Sequence, residues 1–554
     1  MVSDIHNLLQ QALQCQKTGQ FDRAENLYEH ILQETPQQVD ALHFLGIIAA
    51  HRHQYDKAID LIQRAILVCP LFSDLYNSLG NVFEEQGRWN QALKYYRYAL
   101  QLEPNFVEAH NNVGLILGQQ GHLQEAIKHY QRILELRPDY ITAHSNWVYL
   151  LNFVEDTTPE HIFIEHRKFD EQHALCLANT IAPHPTLFHK KLRIGYLSPD
   201  CRRHSVAYFI EPILSHHARE HFEIFCYAHS LQEDDTTERL KNYADHWMNC
   251  FGIPDEALSQ RIRQDQIDIL VDLAGHTTGS RLLVFARKPA PIQMTYLGYP
   301  NTTGLTAIDY RISDTYVDKD DKLSSETLIQ MPNSFFCYQP LSESPPINEL
   351  PMLKNGYPTF GSLNSYMKFS PFILKLWAKI LHVLPQAKLV VQNQAFQERE
   401  TFSSFEKRME QLGVDPQRII LMNYALPPGY LETYHHIDIA LDTYPFNGGT
   451  TTCEALWMGI PVLSLKGQRQ VSRLGLSILS SIGLSEWVAE TPQEYIEKCL
   501  YMVHHQDFLQ HLRQSMRERL YTSPLMEASS FTRCLEDIYR KVTNQWMTQV
   551  EHDG

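Results

Sequence analysis

Residues 71–104 read LFSDLYNSLGNVFEEQGRWNQALKYYRYALQLEP, two helix-like stretches parted at Gly87 and closed by Pro104. The frame recurs along the first quarter of the chain. Prolines fall at Pro36, Pro70, Pro104 and Pro138, each 34 residues after the last. Ala24, Ala58, Ala92 and Ala126 keep the same spacing, as do Gly46, Gly80 and Gly114. A further series runs through Gly19, Gly87 and Gly121, with His53 at the missing step. Between these marks apolar residues recur at helical spacing, as in Leu27, Ile31, Leu32 and in Ile62, Ala65, Ile66.

Each series has a physical role. Small residues suit points where two helices approach closely. A mid-repeat glycine ends the first helix in a left-handed turn at little steric cost. Proline ends the second helix, because it lacks an N–H and clashes with the preceding turn. A 34-residue period of this kind is the tetratricopeptide signature, so residues 1–139 are expected to hold four helical hairpins stacked into a superhelix with a concave face. His43, Asn77 and Asn111 stand three residues before the Gly46 series, where they would line that face and offer polar groups to a peptide backbone. The alternative is a plain solvated helix face. Residues 140–190 read as a partial fifth repeat and a helical adaptor, ending in a loop with Pro183 and Pro185.

Beyond Lys190 short apolar strands alternate with amphipathic helices, the pattern of parallel sheets. Strands are expected at 192–197, 223–228, 267–273, 292–297 and 310–313. A proline-rich stretch at 341–358 reads as a linker, and strands resume at 359–363, 388–392, 419–422, 437–442 and 461–465. The expected architecture is therefore α followed by α/β: a repeat superhelix, an N-terminal lobe (191–340), and a C-terminal lobe with closing helices (359–546). Both lobes would be Rossmann-like, with a ligand cleft at the strand C-termini. Neither a GxGxxG nor a Walker A motif occurs, which speaks against a dehydrogenase or P-loop enzyme.

Three stretches carry the chemistry. In IDIALDTYPFNGGTTTCEALWMGIP (437–461), a strand ends near Asp442, and Gly449, Thr450, Thr451 and Thr452 open a helix. First-turn N–H groups lack intrahelical partners and favour an anion, so this turn suits a diphosphate. Glu454, one turn on, can accept both hydroxyls of a ribose. In FGSLNSYMKFSP (360–371), Asn364 and Lys368 follow a strand, and the lysine can neutralise a leaving diphosphate. In SPDCRRHSVAYFIE (198–211), His204 would face the cleft as base or sugar-phosphate ligand. His276 also follows a strand, and Gly298, Pro300 and Asn301 belong to a cleft-lining turn that would meet sugar or acceptor. Asp318-Lys319-Asp320 has the DxD spacing of some metal-dependent transferases, but sits in the charged run VDKDDK and reads as a solvated turn.

Composition bounds the partners. The net charge of −16 argues against general binding to nucleic acid or anionic membrane. Ten isolated cysteines, with no CxxC pair, fit reduced thiols and suggest no disulfide frame or zinc site. No apolar run is long enough for a membrane span and no secretory leader is visible, so a cytoplasmic location is expected.

The motifs LRIGYLSPD, HSVAYFIE, DILVDLAGHT, ARKPAPIQ, LGYPNTTGL, DYRISD, FGSLNSYMKFSP and LDTYPFNGGTTTCEALWMGIPV, placed after tetratricopeptide repeats, resemble the nucleocytoplasmic O-GlcNAc transferases and the plant SPINDLY proteins. The resemblance spans nearly the whole chain. It implies a GT-B fold and an inverting, metal-independent transfer of one sugar from a nucleotide sugar to Ser or Thr of proteins, with no cofactor. It also implies that Lys368 binds the diphosphate, Thr450 and Thr451 the pyrophosphate, and Glu454 the ribose. Asn364 lies in the matching loop, the Ala425 backbone meets the base, and His204 is the active-site histidine. Several positions depart from the animal enzymes. Pro427 stands for Lys, Tyr430 and Gly449 for His, Glu454 for Asp, and Arg263 for a second histidine. TTTCE and GYPNTTGL look more like SPINDLY. UDP-GlcNAc is the expected donor and GDP-fucose the alternative. Other readings are a repeat adaptor with inactive lobes, or transfer to glycans or lipids.

Overall fold

Gly80 has no room for a side chain: a Cβ there would lie 2.4 Å from the Tyr96 ring. At Gly46 it would meet Ile62 at 2.7 Å, and at Gly114 Tyr130 at 2.8 Å. The glycine series thus lets the two helices of each hairpin close on one another, and the alanines at 24, 58, 92 and 126 are fully buried on the other side of the contact. The computed structural model describes residues 2–178, 190–340, 343–422, 424 and 429–553. The hairpins are α1 (Val2–Lys17) with α2 (Phe21–Glu34), α3 (Val39–His51) with α4 (Tyr55–Val68), α5 (Ser73–Glu85) with α6 (Trp89–Leu102), and α7 (Val107–Gln119) with α8 (Leu123–Leu136). The turns between partners hold Gly19, Gly87 and Gly121 at φ of +74°, +72° and +73°, and His53 takes the same left-handed conformation at +58°. The second helix of each hairpin packs on the first helix of the next.

The polar ladder differs from expectation. His43 and Asn111 are buried, and His43 bonds Ser78 at 2.8 Å. Of the three expected residues, Asn77 is half-buried and meets an amide of the next repeat, in a cluster with Asn81 and Asn112. The Asn112 side chain donates to Asn77 at 3.1 Å and to Asn81 at 3.0 Å. Three residues before the close-packed glycine, a side chain faces the neighbouring helix rather than solvent.

The chain divides into two compact units, Met1–Ala143 with Glu398–Glu400, and His144–Gln397 with Thr401–Gly554. The second unit begins within α9 (Ile141–Leu151) and continues through α10 (Pro159–Phe169), whose N-terminus is capped by Thr158. Phe169 and Ala174 enter the apolar core of the first lobe beside Leu270, Phe285 and Leu305, so the adaptor is part of that lobe. The loop with Pro183 and Pro185 lies outside the described residues.

The first lobe is a seven-stranded parallel sheet in the order β3-β2-β1-β4-β5-β6-β7. Its strands are β1 (Leu192–Ser198), β2 (Phe222–Ala228), β3 (His246–Asn249), β4 (Ile269–Asp272), β5 (Ile292–Thr295), β6 (Tyr310–Asp314) and β7 (Thr327–Met331). The second is a six-stranded parallel sheet ordered β10-β9-β8-β11-β12-β13. It comprises β8 (Thr359–Ser362), β9 (Lys388–Val391), β10 (Ile419–Leu421), β11 (Ile439–Leu441), β12 (Val462–Leu465) and β13 (Val488–Ala489). The strands absent from the sequence reading are β3, β7 and β13. The first two are edge strands with exposed positions and no apolar run, and β13 is an edge strand of two residues.

The closing helix also departs from the sequence order. Ala528–Asp553 follows the second lobe in the chain but packs on the first. Tyr539 meets Tyr196 of β1 at 3.0 Å, and Glu536 accepts from His217 Nδ1 at 3.0 Å and from the Ala218 N–H at 2.8 Å. Asp318 is buried rather than solvated. Arg311 donates to both its oxygens, at 2.9 and 3.0 Å, so that carboxylate is already committed.

Candidate active site

Both sheets reverse their winding once. In the first, the chain lays β2 and β3 on one side of β1 and β4 to β7 on the other. In the second, it lays β9 and β10 on one side of β8 and β11 to β13 on the other. Loops leaving the strands that flank such a switch point diverge and leave a crevice. The loop after β1 carries His204, the loop after β8 carries Lys368, and the loop after β11 carries Gly449 and Thr450. All four residues line one cleft of about 400 Å³. That volume suits one small organic ligand of nucleotide-sugar size.

Lys368 is the cation of the cleft. Its Nζ donates to the Asn447 carbonyl at 2.8 Å and lies 4.4 Å from the centre of the Phe446 ring. Burial lowers its pKa to about 8, against the opposing pull of Asp442. Asp442 follows β11 directly and organises the loop beyond it. Its Oδ1 accepts from Gly448 N at 2.6 Å and Thr443 N at 2.8 Å, and Oδ2 accepts from Ser464 at 2.6 Å.

The helix Thr450–Trp457 has Gly449 at its N-cap, so no side chain competes for its first N–H groups. A Cβ on Gly449 would meet nothing closer than Phe336 at 3.9 Å, which marks open cleft above it. Thr451 donates its hydroxyl to the Asn364 side chain at 2.9 Å, tying the loop after β8 to this helix. Thr450 lines the cleft, and Thr452 is buried behind it. Glu454 is buried one turn further in, where it accepts the Tyr430 hydroxyl. Burial raises its pKa to about 8, which favours the protonated acid. Ala425 and Pro427 lie outside the described residues.

His204 sits with Nδ1 3.5 Å from the Asp200 carboxylate and 3.3 Å from the Val206 N–H. Both contacts use Nδ1, so Nε2 is the nitrogen available to a ligand. Burial lowers its pKa, with Asp200 opposing, which favours the uncharged ring. Gly298 and Pro300 also line the cleft.

Two expected site residues serve another purpose. His276 is buried, with Nε2 donating to the Thr303 carbonyl at 2.7 Å and Nδ1 accepting from Ser145 at 3.1 Å. Asn301 donates to Asn152 at 2.8 Å. They fasten α9 and the residue that follows it to the first lobe, because these two side chains turn toward the adaptor rather than into the crevice. Arg263, where the resemblance implies that the animal enzymes have a histidine, donates to the Arg287 carbonyl at 2.9 Å and does not line the cleft.

The structure adds cleft residues that the sequence reading missed. Tyr149 reaches it from α9, Phe336 from the segment after β7, Leu474 from a helix start, and Phe446 from within the glycine loop. Only Phe446 carried a signal, as a neighbour of the motif. Tyr149 belongs to a helix whose sequence reads as a repeat.

Residues 169–341 and 352–535 match glycosyl transferase family 41, and residues 17–71 and 77–141 match tetratricopeptide repeats. A SPINDLY protein of Solanum lycopersicum, described as a probable UDP-N-acetylglucosamine–peptide N-acetylglucosaminyltransferase, is 37% identical over 72% of this chain and 43% of its own length. The SEC protein of Arabidopsis thaliana, described in the same words, is 31% identical over 64% of this chain and 37% of its own. The chain thus spans less than half the length of these relatives. An O-GlcNAc transferase of Thermobaculum terrenum, solved as a mutant, aligns with a TM-score of 0.80 at 33% identity, covering 99% of both chains. With its family match, its two parallel-sheet lobes and a cleft built from the matching motifs, this chain belongs to glycosyl transferase family 41.

Proposed function

We propose that the protein transfers N-acetylglucosamine from UDP-GlcNAc to Ser or Thr hydroxyls of proteins, with inversion at the anomeric carbon and without metal or cofactor. The observation that carries this reading is the convergence of the Lys368 ammonium and the uncapped start of Thr450–Trp457 on one cleft. The acceptor oxygen attacks the anomeric carbon as the bond to the diphosphate breaks. Lys368 and the first-turn N–H groups stabilise the departing charge. With its proton on Nδ1 toward Asp200, His204 receives the acceptor proton at Nε2; with the proton on Nε2 it positions the donor instead, and the departing diphosphate takes the acceptor proton. Glu454 holds the ribose, and the repeats hold the polypeptide acceptor. The names of the relatives support GlcNAc as the sugar. The site of action is cytoplasmic; among the described residues no helix is long and apolar enough to cross a membrane.

Donor assays test the assignment directly. Purified protein incubated with protein acceptors and either labelled UDP-GlcNAc or labelled GDP-fucose is expected to transfer label from the first. Label from GDP-fucose alone would overturn the choice of sugar while preserving the reaction type.

A second measurement addresses the ribose. Glu454→Gln keeps a neutral acceptor in the pocket, whereas Glu454→Ala removes it. The glutamine variant is expected to stay within a few-fold of wild type in donor KM, and the alanine variant to rise about ten- to hundred-fold. Equal KM for all three proteins would remove Glu454 from the donor site.

A further inference from the structure

Residues 149–155 touch both lobes of the catalytic unit. On the first lobe, the Asn152 amide donates to the Tyr299 hydroxyl at 2.8 Å. On the second, the Arg469 guanidinium donates to the carbonyls of Val154 at 2.6 Å and Glu155 at 2.7 Å. The Glu155 carboxylate accepts the Phe372 N–H at 2.9 Å, in the first turn of the helix Pro371–Val383 that follows Lys368. Phe153 stacks on Phe446, with ring centres 4.7 Å apart and planes 19° from parallel. The same Phe446 ring lies 4.4 Å from the Lys368 ammonium, so it contacts both Phe153 and Lys368.

The consequence is mechanical. Lys368 Nζ is located by two features of the loop after β11, the Phe446 ring and the Asn447 carbonyl. Phe153 backs the first of these. Glu155 holds the backbone four residues beyond Lys368 through an N–H that the helix itself leaves unpaired. We propose that Phe153 and Glu155 are positioning residues for sugar transfer, aiming the Lys368 ammonium at the donor diphosphate from a segment outside both nucleotide-binding loops. This rests on the reading of Lys368 given above. Neither residue lines the cleft. Their effect passes through Phe446 and through the start of the helix.

The test uses the full chain and compares Phe153→Ala with Phe153→Tyr, and Glu155→Ala with Glu155→Gln. Tyrosine preserves the stack, and glutamine preserves an oxygen acceptor for the Phe372 N–H. Both alanine variants are expected to raise the donor KM and the calorimetric Kd for UDP about ten-fold, a size typical of small misplacements of a site group. Acceptor KM stays unchanged, and the tyrosine and glutamine variants recover donor affinity to within about two-fold. On a Lys368→Ala background, Phe153→Ala should add nothing further to the UDP Kd. If Phe153→Ala fails to fold, the Glu155 pair decides. Folded alanine variants with wild-type UDP affinity, or losses that the conservative variants do not recover, overturn the proposal. Lys368→Ala with undiminished UDP affinity would instead bring down the site reading beneath it, which keeps the two failures distinct.

Discussion

Lys368→Ala reduces transfer by about 10²–10³-fold or more, while the protein keeps its melting temperature and its affinity for acceptor protein. The ammonium is the one cation that the loop after β8 brings to the cleft. Its anchors, the Asn447 carbonyl and the Phe446 ring, bear no compensating positive charge. Removing it leaves the leaving diphosphate with only partial charges from helix N–H groups. Lys368→Arg tests the geometry separately from the charge, since a planar guanidinium does not fit a site shaped for a point ammonium. The pH profile follows from the same group. With its pKa lowered to about 8 by burial, Lys368 is charged below that value and loses its proton as pH rises through it. Donor kcat/KM is therefore expected to be flat near pH 7 and to fall above about 8. Glu454, also near 8, gains charge over the same range, so the comparison of interest is Glu454→Gln, in which the lysine limb remains alone. Wild-type turnover in the Lys368→Ala protein would end the mechanism proposed here.

Gly298→Ala is the second substitution with a large expected effect. A Cβ at this position would stand 1.9 Å from the Leu273 carbonyl oxygen and 2.8 Å from its carbon. These are backbone atoms at the end of β4, and they have no rotamer in which to retreat. Relief requires moving either the strand end or the loop that follows β5, which already holds Leu297 at a φ of +73°. The loop carries Gly298 and Pro300 on the cleft wall, and Tyr299 and Asn301 in the bonds to α9. One methyl group thus displaces the cleft lining and its fastening together. A loss of about 3 kcal/mol or more in stability is expected, with activity reduced beyond what the unfolded fraction explains. Thermal melts and turnover at a temperature well below the transition measure the two parts. A melting temperature within a degree of wild type would show that the loop yields more easily than the contact implies.

Much of this was legible in the chain. The tetratricopeptide array was readable because its contacts are local: every hairpin repeats the buried alanine and terminating proline, three of the four the turn glycine, and period alone reports them. Core strands were readable because burial on both faces makes them continuously apolar, whereas β3 and β7 at the sheet edge lack that mark. The cleft positions of Lys368, Gly449 and Thr450 were readable because a strand, a loop and a helix start are contiguous in sequence.

Other features were settled only by distance-spanning contacts. His276, placed after a strand exactly as His204 is, became a fastening for α9 because its loop meets the adaptor rather than the crevice. The closing helix joined the first lobe because Glu536 and Tyr539 found partners there. Phe153 came to lie against Phe446, the ring beside Lys368, 215 positions ahead of that lysine in the chain. Sequence alone determined which residues could do the chemistry, since that depends on side-chain type and local backbone. Tertiary structure decided which of them share a cleft, because parallel-sheet winding brings together loops whose separation in the chain carries no sign of their meeting.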